Sequence, residues 1–168
     1  IVMEIGYGMG EATWQIAKAD PRVNYLGVEV HMPGVGKLMA RLDEYELTNV
    51  RLIERDVFEV FYYMVKDSSL DGVHLFFPDP WPKKRHFKRR IVNERFLTDV
   101  SAKLKPGGYL HIATDWVPYA EWITQVFSDT KLFTGGVTER PDWRPLTRFE
   151  GQGISKDHAV NDFRFLKA

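Results

Sequence analysis

The sequence has no cysteine among its 168 residues. Disulfide bonds and thiolate metal sites are therefore excluded, and a reducing cytoplasm is the compartment that fits. No apolar run approaches the ~20 residues of a membrane-spanning helix, and no basic segment followed by an apolar one marks a signal peptide. We expect a cytoplasmic protein with no membrane partner and no metal site.

An excess of charge of either sign is also missing, because 23 basic residues balance 23 acidic ones. A surface that attracts polyanions everywhere is thus disfavoured. Residues 83–90, termed the basic run, depart from this balance and leave 17 basic and 23 acidic residues for the rest of the chain. The cations of the basic run are Lys83, Lys84, Arg85, Lys88, Arg89 and Arg90. The run is either an anion-binding site or a solvated charged turn.

The length of 168 residues suits one domain with a sizeable core. Because Ile1 falls directly within an apolar strand pattern, we expect the natural N-terminal segment to be missing. The expected organisation is a single domain over residues 1–168, in a monomer or a homodimer.

Strand patterns alternate with helical ones over most of the chain. The predicted strands cover residues 1–5, 25–30, 50–53, 71–77 and 109–113. The predicted helices cover residues 11–19, 36–46, 57–66, 89–104 and 116–128. These repeated units predict an α/β fold, with helices on both faces of a mostly parallel sheet. The tail predicts one or two antiparallel strands, the last near residues 161–166, and a polar substrate loop over residues 135–153.

A glycine-rich turn follows the first predicted strand, in the segment Glu4-Ile-Gly6-Tyr-Gly8-Met-Gly10. Glycines there let the backbone approach a ligand, and the next helix N-terminus adds a dipole and free N–H groups. Glu29 ends the second strand, where a carboxylate can accept hydrogen bonds from the hydroxyls of a ribose. A tight turn without any ligand would also use these glycines.

Two details favour S-adenosylmethionine over NAD as the ligand of this turn. The glycine spacing is G-x-G-x-G, whereas G-x-G-x-x-G suits a pyrophosphate. Glu4 precedes the turn, and its negative charge suits the cationic amino and sulfonium groups of S-adenosylmethionine. Asp56, at the end of the third strand, is a candidate for the adenine amino group, although a helix N-cap explains it nearly as well.

A proline-rich turn, Phe77-Pro-Asp79-Pro-Trp81-Pro82, closes the fourth predicted strand and leads into the basic run. The carboxyl ends of the strands in such a sheet face the ligand crevice, so we expect Asp79 near the methyl donor. The flanking prolines stiffen its backbone, which lowers the entropic cost of holding a reactive geometry. Asp79 is therefore the candidate catalytic residue, and turn formation alone is the competing interpretation.

The segment from Phe77 to His86, Phe-Pro-Asp-Pro-Trp-Pro-Lys-Lys-Arg-His, with Lys88-Arg-Arg90, resembles the signature of the TrmB-type tRNA (guanine-N7)-methyltransferases. Other segments similar to that family are Glu4 to Gly10, Val28 to Gly36, Thr114-Asp115 and Thr147-Arg-Phe-Glu150. The resemblance implies a Rossmann-like class I methyltransferase fold, with a mostly parallel seven-stranded sheet and an antiparallel C-terminal strand. It also implies methyl transfer from S-adenosylmethionine, which leaves S-adenosylhomocysteine, to guanine N7 in the tRNA variable loop.

The resemblance further implies roles for single residues. The cofactor would be bound by Glu4, Gly6, Gly8, Gly10, Glu29 and Asp56, and Asp79 would lie at the reaction centre. The tRNA would be held by Lys83, Arg85, His86, Arg89, Asp115, Thr147, Arg148 and Glu150.

Guanine N7 carries an in-plane lone pair and no proton, so methyl transfer to it needs no general base. It needs in-line positioning and a carboxylate that accepts hydrogen bonds from the guanine N1–H and 2-amino groups as the base gains positive charge. Asp79 and Glu150 are the candidates. Three alternatives stay open: methylation of an exocyclic nucleobase amine, an NAD-dependent oxidoreductase, and an RNA-binding module without activity.

Overall fold

A computed structural model describes residues 1–146 and 159–168 of the chain. The strands of this described part are β1 (Val2–Ile5), β2 (Tyr25–Glu29), β3 (Val50–Glu54), β4 (Leu70–Phe76), β5 (Leu104–Thr114), β6 (Phe133–Thr138) and β7 (Asn161–Lys167). Its helices are α1 (Glu11–Ala19), α2 (Met32–Glu44), α3 (Val57–Tyr63), α4 (Glu94–Lys103), α5 (Val117–Ser128) and the 3-10 helix Lys84–Arg89. Among the described residues, no helix combines the length and the apolar character needed to cross a membrane.

The strands form one sheet in the order β3-β2-β1-β4-β5-β7-β6. Strands β1 to β5 are parallel to one another, whereas β7 pairs antiparallel with both β5 and β6. The predicted mostly parallel seven-stranded sheet with an antiparallel C-terminal strand is thus confirmed. The strand order reverses between β1 and β4, and such a switch point opens a crevice outside the carboxyl ends of the strands.

The side chains of β1 contribute alternately to two apolar cores, one on each face of the sheet, because successive side chains of a strand point to opposite faces. Met3 and Ile5 join the core cluster that contains α3, α4 and α5 residues, whereas Val2 joins the cluster of the opposite face, with α1. Helices therefore cover both faces, as predicted. Burial on both faces is also the reason why the parallel strands are nearly continuous apolar runs in the sequence.

Helix α2 begins at Met32, so the predicted start at Gly36 is wrong. Pro33 lies in the first turn of the helix, where its missing N–H costs nothing and its fixed φ is favourable. Glycines at positions 34 and 36 weaken the helical pattern in the sequence, but tertiary packing of the helix overrides their low propensity.

Helix α4 begins at Glu94, so the predicted start at Arg89 is also wrong. The side chain of Asn93 caps the helix by accepting a hydrogen bond from Phe96 N at 2.9 Å. The preceding cationic residues form the separate 3-10 helix instead. The basic run is consequently a compact turn and is not the first part of a long helix.

Strand β6 occupies Phe133–Thr138, so the predicted polar loop over residues 135–153 is wrong in its first part. Residues 147–158, which include most of its second half, lie outside the described residues. Strand β5 begins at Leu104, earlier than the predicted 109. The antiparallel strand predicted near residues 161–166 is confirmed as β7.

Candidate active site

A crevice of about 420 Å³ lies at the carboxyl ends of the central strands. Its walls are the turn after β1, the ends of β2 and β4, residues 55–57 after β3, and the turn that contains Asp79. The charged side chains on these walls are those of Glu29, Arg55, Asp56, Asp79 and Arg89. Gly6 and Gly8 line it as well, so the fold gathers six predicted site residues in one place, together with Arg55, which no sequence pattern indicated.

Gly6 and Gly8 shape the wall next to β1. Their φ angles of 68° and 59° lie in the left-handed region, which side chains disfavour. A Cβ atom added at either position would meet nothing within 4 Å. The backbone conformation therefore demands glycine, and the space in front of it leaves room for a ligand.

Gly10 is not on the crevice wall. It precedes α1 with a φ of 79°, and an added Cβ would lie only 2.7 Å from Leu38 Cδ1 on α2. Turn conformation and close packing of α1 against α2 explain this glycine. Contact of Gly10 with a cofactor stays a prediction.

Glu29 is held by three backbone N–H groups. Gly8 N donates to Oε2 at 2.7 Å, and Val30 N and His31 N donate to Oε1 at 3.0 and 3.1 Å. These bonds fix the carboxylate on the wall and tie the end of β2 to the glycine-rich turn. A carboxylate has about four accepting positions, so capacity remains for a hydroxyl group of a ligand.

Glu4 lies behind the wall, because it is only 4% exposed and does not line the crevice. Thr13 Oγ1 donates a hydrogen bond to its Oε2 at 2.6 Å. Burial raises the pKa of Glu4 to about 7; the Thr13 bond opposes this rise, and the charge of Glu29 adds to it. Glu4 is therefore separated from the crevice, and its contact with a ligand stays a prediction.

Asp56 caps α3, as its Oδ1 accepts a hydrogen bond from Phe58 N at 2.9 Å. The N-cap interpretation is confirmed. Since Asp56 also lines the crevice, the cap fixes its carboxylate beside the ligand space. Its contact with adenine stays a prediction.

The aspartate turn, residues 77–82, carries Asp79 on a strained backbone. Phe77 and Trp81 have φ angles of 52° and 45°, which residues other than glycine seldom adopt. Phe77 N donates to Ala113 O at 2.7 Å and so ties the start of the turn to β5. Asp79 is exposed at the crevice wall. Strain of this kind concentrates at functional sites, and the catalytic role of Asp79 stays a prediction.

The basic run follows the aspartate turn and forms the 3-10 helix. Its exposed cations are Lys83, Lys84, Arg85, Lys88 and Arg89. The Arg89 guanidinium lies 5.1 Å over the Trp81 ring, and the His86 ring meets the same indole edge-on at 5.6 Å. Arg89 also reaches the crevice, so a cationic surface adjoins the ligand space. Arg90, the last cation of the basic run, is buried.

The remaining predicted substrate residues lie elsewhere. Asp115 follows β5 directly and is not on the crevice wall. Thr147, Arg148 and Glu150 lie outside the described residues. Substrate contacts of these four residues stay predictions.

A buried ion pair between Arg144 and Asp162, near the aspartate turn, was not predicted from the sequence. Arg144 Nε and Nη2 donate to Asp162 Oδ2 and Oδ1, both at 2.7 Å, and His111 Nε2 lies 2.6 Å from Asp162 Oδ2. Burial acts to raise the pKa of Asp162, but the bonds from His111 and Arg144 outweigh it and hold that pKa below its ordinary value. The Arg144 guanidinium also lies 5.7 Å from the Phe77 ring. Alternation along β7 gave no sign of the partner of Asp162, because Arg144 belongs to another segment.

The strand order and the crevice at its switch point define a Rossmann-like class I methyltransferase fold. The crystal structure of the 16S rRNA methyltransferase KamB matches this fold with a TM-score of 0.72, at 16% identity, over 99% of this chain and 87% of that chain. A family model described as a methyltransferase matches residues 1–163.

Relatives with similar sequences identify the family within this class. The tRNA (guanine-N(7)-)-methyltransferase of Methylobacillus flagellatus is 48% identical, over 99% of this chain and 71% of that protein. The protein of the same name from Chromobacterium violaceum is 52% identical, over 99% of this chain and 75% of that protein. The chain belongs to the tRNA (guanine-N7)-methyltransferase family.

Proposed function

We propose that this chain transfers a methyl group from S-adenosylmethionine to N7 of a guanine in tRNA. One juxtaposition carries the proposal: the glycine-rich turn, Glu29 and Asp79 line a single crevice, and the basic run adjoins it. Relatives 48% and 52% identical bear the name of this activity, which supports guanine N7 as the acceptor.

The crevice suits S-adenosylmethionine in charge and in shape. The walls carry three carboxylates, of Glu29, Asp56 and Asp79, and two guanidinium groups, of Arg55 and Arg89. The excess of negative charge favours a cationic ligand over a diphosphate. The open space in front of Gly6 and Gly8 lets a ligand approach the backbone. When bound, the cofactor supplies an electrophilic methyl group. We assign its ribose hydroxyls to Glu29 and its adenine amino group to Asp56.

Asp79 is assigned to the guanine. N7 needs no deprotonation before it attacks a methyl group, so the protein has to orient the base and stabilise the positive charge that develops on it. A carboxylate at the crevice wall can accept hydrogen bonds from guanine N1–H and the 2-amino group. The pinned, strained turn holds this carboxylate before the substrate arrives.

The exposed cations of the basic run are assigned to the tRNA backbone. Contacts of Lys and Arg with phosphates position RNA and supply salt-dependent affinity, but they read little sequence. We infer that the target guanine lies in the variable loop, as the family resemblance implies, and that the base leaves its stack to enter the crevice. We also infer a cytoplasmic location, which a tRNA substrate supports.

Transfer of a labelled methyl group to bulk tRNA, followed by nucleoside analysis, tests the proposal. We expect label in 7-methylguanosine. Label on an exocyclic amine would contradict the N7 assignment, and tight tRNA binding without any transfer would favour an RNA-binding module. Calorimetry with both cofactors adds a second test, in which binding of NAD but not of S-adenosylmethionine would contradict the cofactor assignment.

A further inference from the structure

Arg90 differs from every other cation of the basic run in being buried, with 3% of its surface exposed. Its Nε donates a hydrogen bond to Pro80 O at 2.9 Å, and its Nη2 donates to Trp81 O at 3.4 Å. One planar guanidinium therefore binds two consecutive carbonyl groups immediately after Asp79. The bonds anchor the end of the aspartate turn, whose start is tied to β5 by Phe77.

Aromatic rings enclose the same guanidinium. Its central carbon lies 4.0 Å from the ring centre of Phe87, 4.9 Å from that of Trp122 and 5.4 Å from that of Tyr119. Trp122 and Tyr119 belong to α5. Stacking on aromatic faces suits the delocalised charge of arginine, which is weakly hydrated. Arg90 thus connects the aspartate turn to α5.

Two further hydrogen bonds lock α5 onto the chain beyond Arg90. Trp122 Nε1 donates to Val92 O at 2.7 Å, and Val92 N donates to Tyr119 OH at 3.3 Å. The N-terminal end of α5 follows Asp115 and Trp116, which are next to the carboxyl end of β5. A shift of α5 would therefore disturb the aspartate turn, which lines the crevice.

The conformation held by Arg90 is a strained one. Trp81, whose carbonyl group accepts one of its hydrogen bonds, has a φ of 45°. Backbone in this region persists only where surrounding contacts over-determine it. Without the guanidinium we expect Trp81 to relax and Asp79 to move with it.

We propose that Arg90 is a positioning residue for methyl transfer, which fixes Asp79 by locking the aspartate turn to α5. This inference rests on the proposed function, because the reaction it assists is methylation of guanine. Lysine cannot replace arginine in this place. Its single ammonium group has the same charge but lacks the planar fork that reaches two carbonyl groups and stacks on three rings.

Arg90→Lys, compared with Arg164→Lys, tests the proposal. Arg164 is an exposed arginine that also stacks on a ring, at 4.3 Å over Tyr109, but it does not line the crevice. We expect kcat at saturating tRNA and S-adenosylmethionine to fall at least tenfold in Arg90→Lys, because small misplacements of a reacting group are costly. The Kd of S-adenosylmethionine should stay within about twofold, and Arg164→Lys should keep the parental kcat.

Hydrogen exchange separates local loosening from general destabilisation. Amides of the aspartate turn and the basic run should exchange at least tenfold faster in Arg90→Lys, while amides of α1 should keep the parental rate. In Arg90→Ala, millimolar guanidinium should restore part of kcat, whereas methylammonium at the same concentration should not. A residue that served only overall stability would show neither the local pattern nor the selective rescue.

Parental kcat together with parental exchange in Arg90→Lys would overturn the proposal. If Arg90→Lys fails to fold, Trp122→Leu takes its place, because it removes one ring from around the guanidinium and the hydrogen bond to Val92 O that locks α5, while Arg90 itself is retained. Parental kcat in that variant would also overturn the proposal. If the parental protein transfers no methyl group to tRNA, the proposed function fails, and the exchange pattern alone decides the role of Arg90.

Discussion

The carboxylates around the crevice differ in their burial and in their hydrogen-bond partners. Glu4 is buried against Thr13, and burial raises its pKa to about 7. Glu29 is fixed on the wall by three backbone N–H groups. Asp79 is exposed at the end of a strained turn. The same side-chain chemistry therefore provides a proton-binding group, a fixed acceptor and a group that can meet a substrate.

Glu4 makes stability depend on pH. Its pKa rises from 4.5 to about 7 on folding, so the unfolded chain ionises first as the pH increases between these values. The contribution of Glu4 to stability is therefore fully present below pH 4.5 and is lost as the pH rises to 7, by roughly 3 kcal/mol. Glu4→Gln should lack this loss, as urea unfolding at pH 5 and pH 8 would show.

Glu121→Gln is the control for this prediction, because Glu121 is exposed on α5. It should follow the parental pH profile. Parallel profiles of Glu4→Gln and the parent would show that Glu4 is ionised in the folded chain at neutral pH.

Asp79→Asn tests the assignment of Asp79 to the guanine. The amide cannot stabilise developing positive charge, so methyl transfer should fall roughly 100-fold, while the Kd of S-adenosylmethionine changes little. Single-turnover transfer and calorimetry measure the two effects. Asp43→Asn, at an exposed position of α2, should leave both unchanged. Full transfer by Asp79→Asn would remove Asp79 from the mechanism.

At the scale of elements, the contact between α2 and the glycine-rich turn shapes one wall of the crevice. A Cβ added at Gly34 would lie 1.9 Å from Gly8 O. Gly8 N in turn bonds Glu29 at the end of β2. The position of α2 thus sets the position of the turn that faces the ligand.

Gly34→Ala should weaken binding of S-adenosylmethionine at least tenfold, because α2 and the glycine-rich turn must separate to admit the methyl group. Gly36→Ala is a matched control on the same helix, since its Cβ would meet nothing within 4 Å. That variant should bind normally and gain about 0.5–1 kcal/mol of stability. Calorimetry measures the affinities, and equal values for the two variants would disprove the dependence on α2.

The basic run gives a prediction about tRNA affinity. Lys83 and Lys84 are exposed beside the crevice, so replacing both by alanine should weaken binding and flatten its salt dependence. Each lost phosphate contact lowers the slope of log K against log salt by about 0.7–0.9. Fluorescence titrations over a range of salt concentrations measure this slope.

Lys66→Ala with Lys131→Ala is the matched control. It removes the same charge from two exposed positions far along the chain from the basic run and should keep the parental slope. An equal reduction in both double variants would show that net charge governs the affinity and that the basic run has no special contact with tRNA.

At the scale of the whole molecule, a buried ion pair joins the tail to the sheet. Arg144, from the segment after β6, pairs with Asp162 on β7 next to His111 on β5. Arg144 is thereby fixed beside β5 and β7, and it also lies close to Phe77 of the aspartate turn. The pair connects segments that are far apart in sequence.

Asp162→Asn should destabilise the protein by roughly 3–5 kcal/mol, because it leaves the buried Arg144 without its carboxylate. Arg144→Met with Asp162→Asn should cost less than the sum of the single substitutions, since each single substitution already removes the same interaction. Urea unfolding of the four proteins measures this coupling. Additive effects would contradict a direct interaction between the two side chains.

Local patterns were enough to predict the mostly parallel arrangement of β1 to β5 and much of the crevice, whereas the number of seven strands came from the family resemblance. Alternating strands and helices leave few topologies once crossovers are right-handed. The carboxyl ends of parallel strands lie at the same edge of the sheet. Residues that follow these strands, such as Gly8, Glu29 and Asp79, could therefore be predicted to lie close together. Helix starts were less certain, because Gly34 and Gly36 obscure the beginning of α2 and the cap at Asn93 went unrecognised.

Contacts between segments that are distant in the sequence decided whether each charged side chain is buried or exposed. Arg90 is one of six cations in eight residues, and nothing in its neighbours distinguishes it from Arg89; the rings of α5 turn it inward. Glu4 lies behind the crevice wall because Thr13 of α1 packs against it, and Asp162 finds Arg144 across the fold. Order along the chain thus specified which residues follow each strand. The packing of helices and strands against one another decided which charged side chains are buried, and the order of the chain does not specify that packing. Burial in turn decides the protonation state and the role of each charged group.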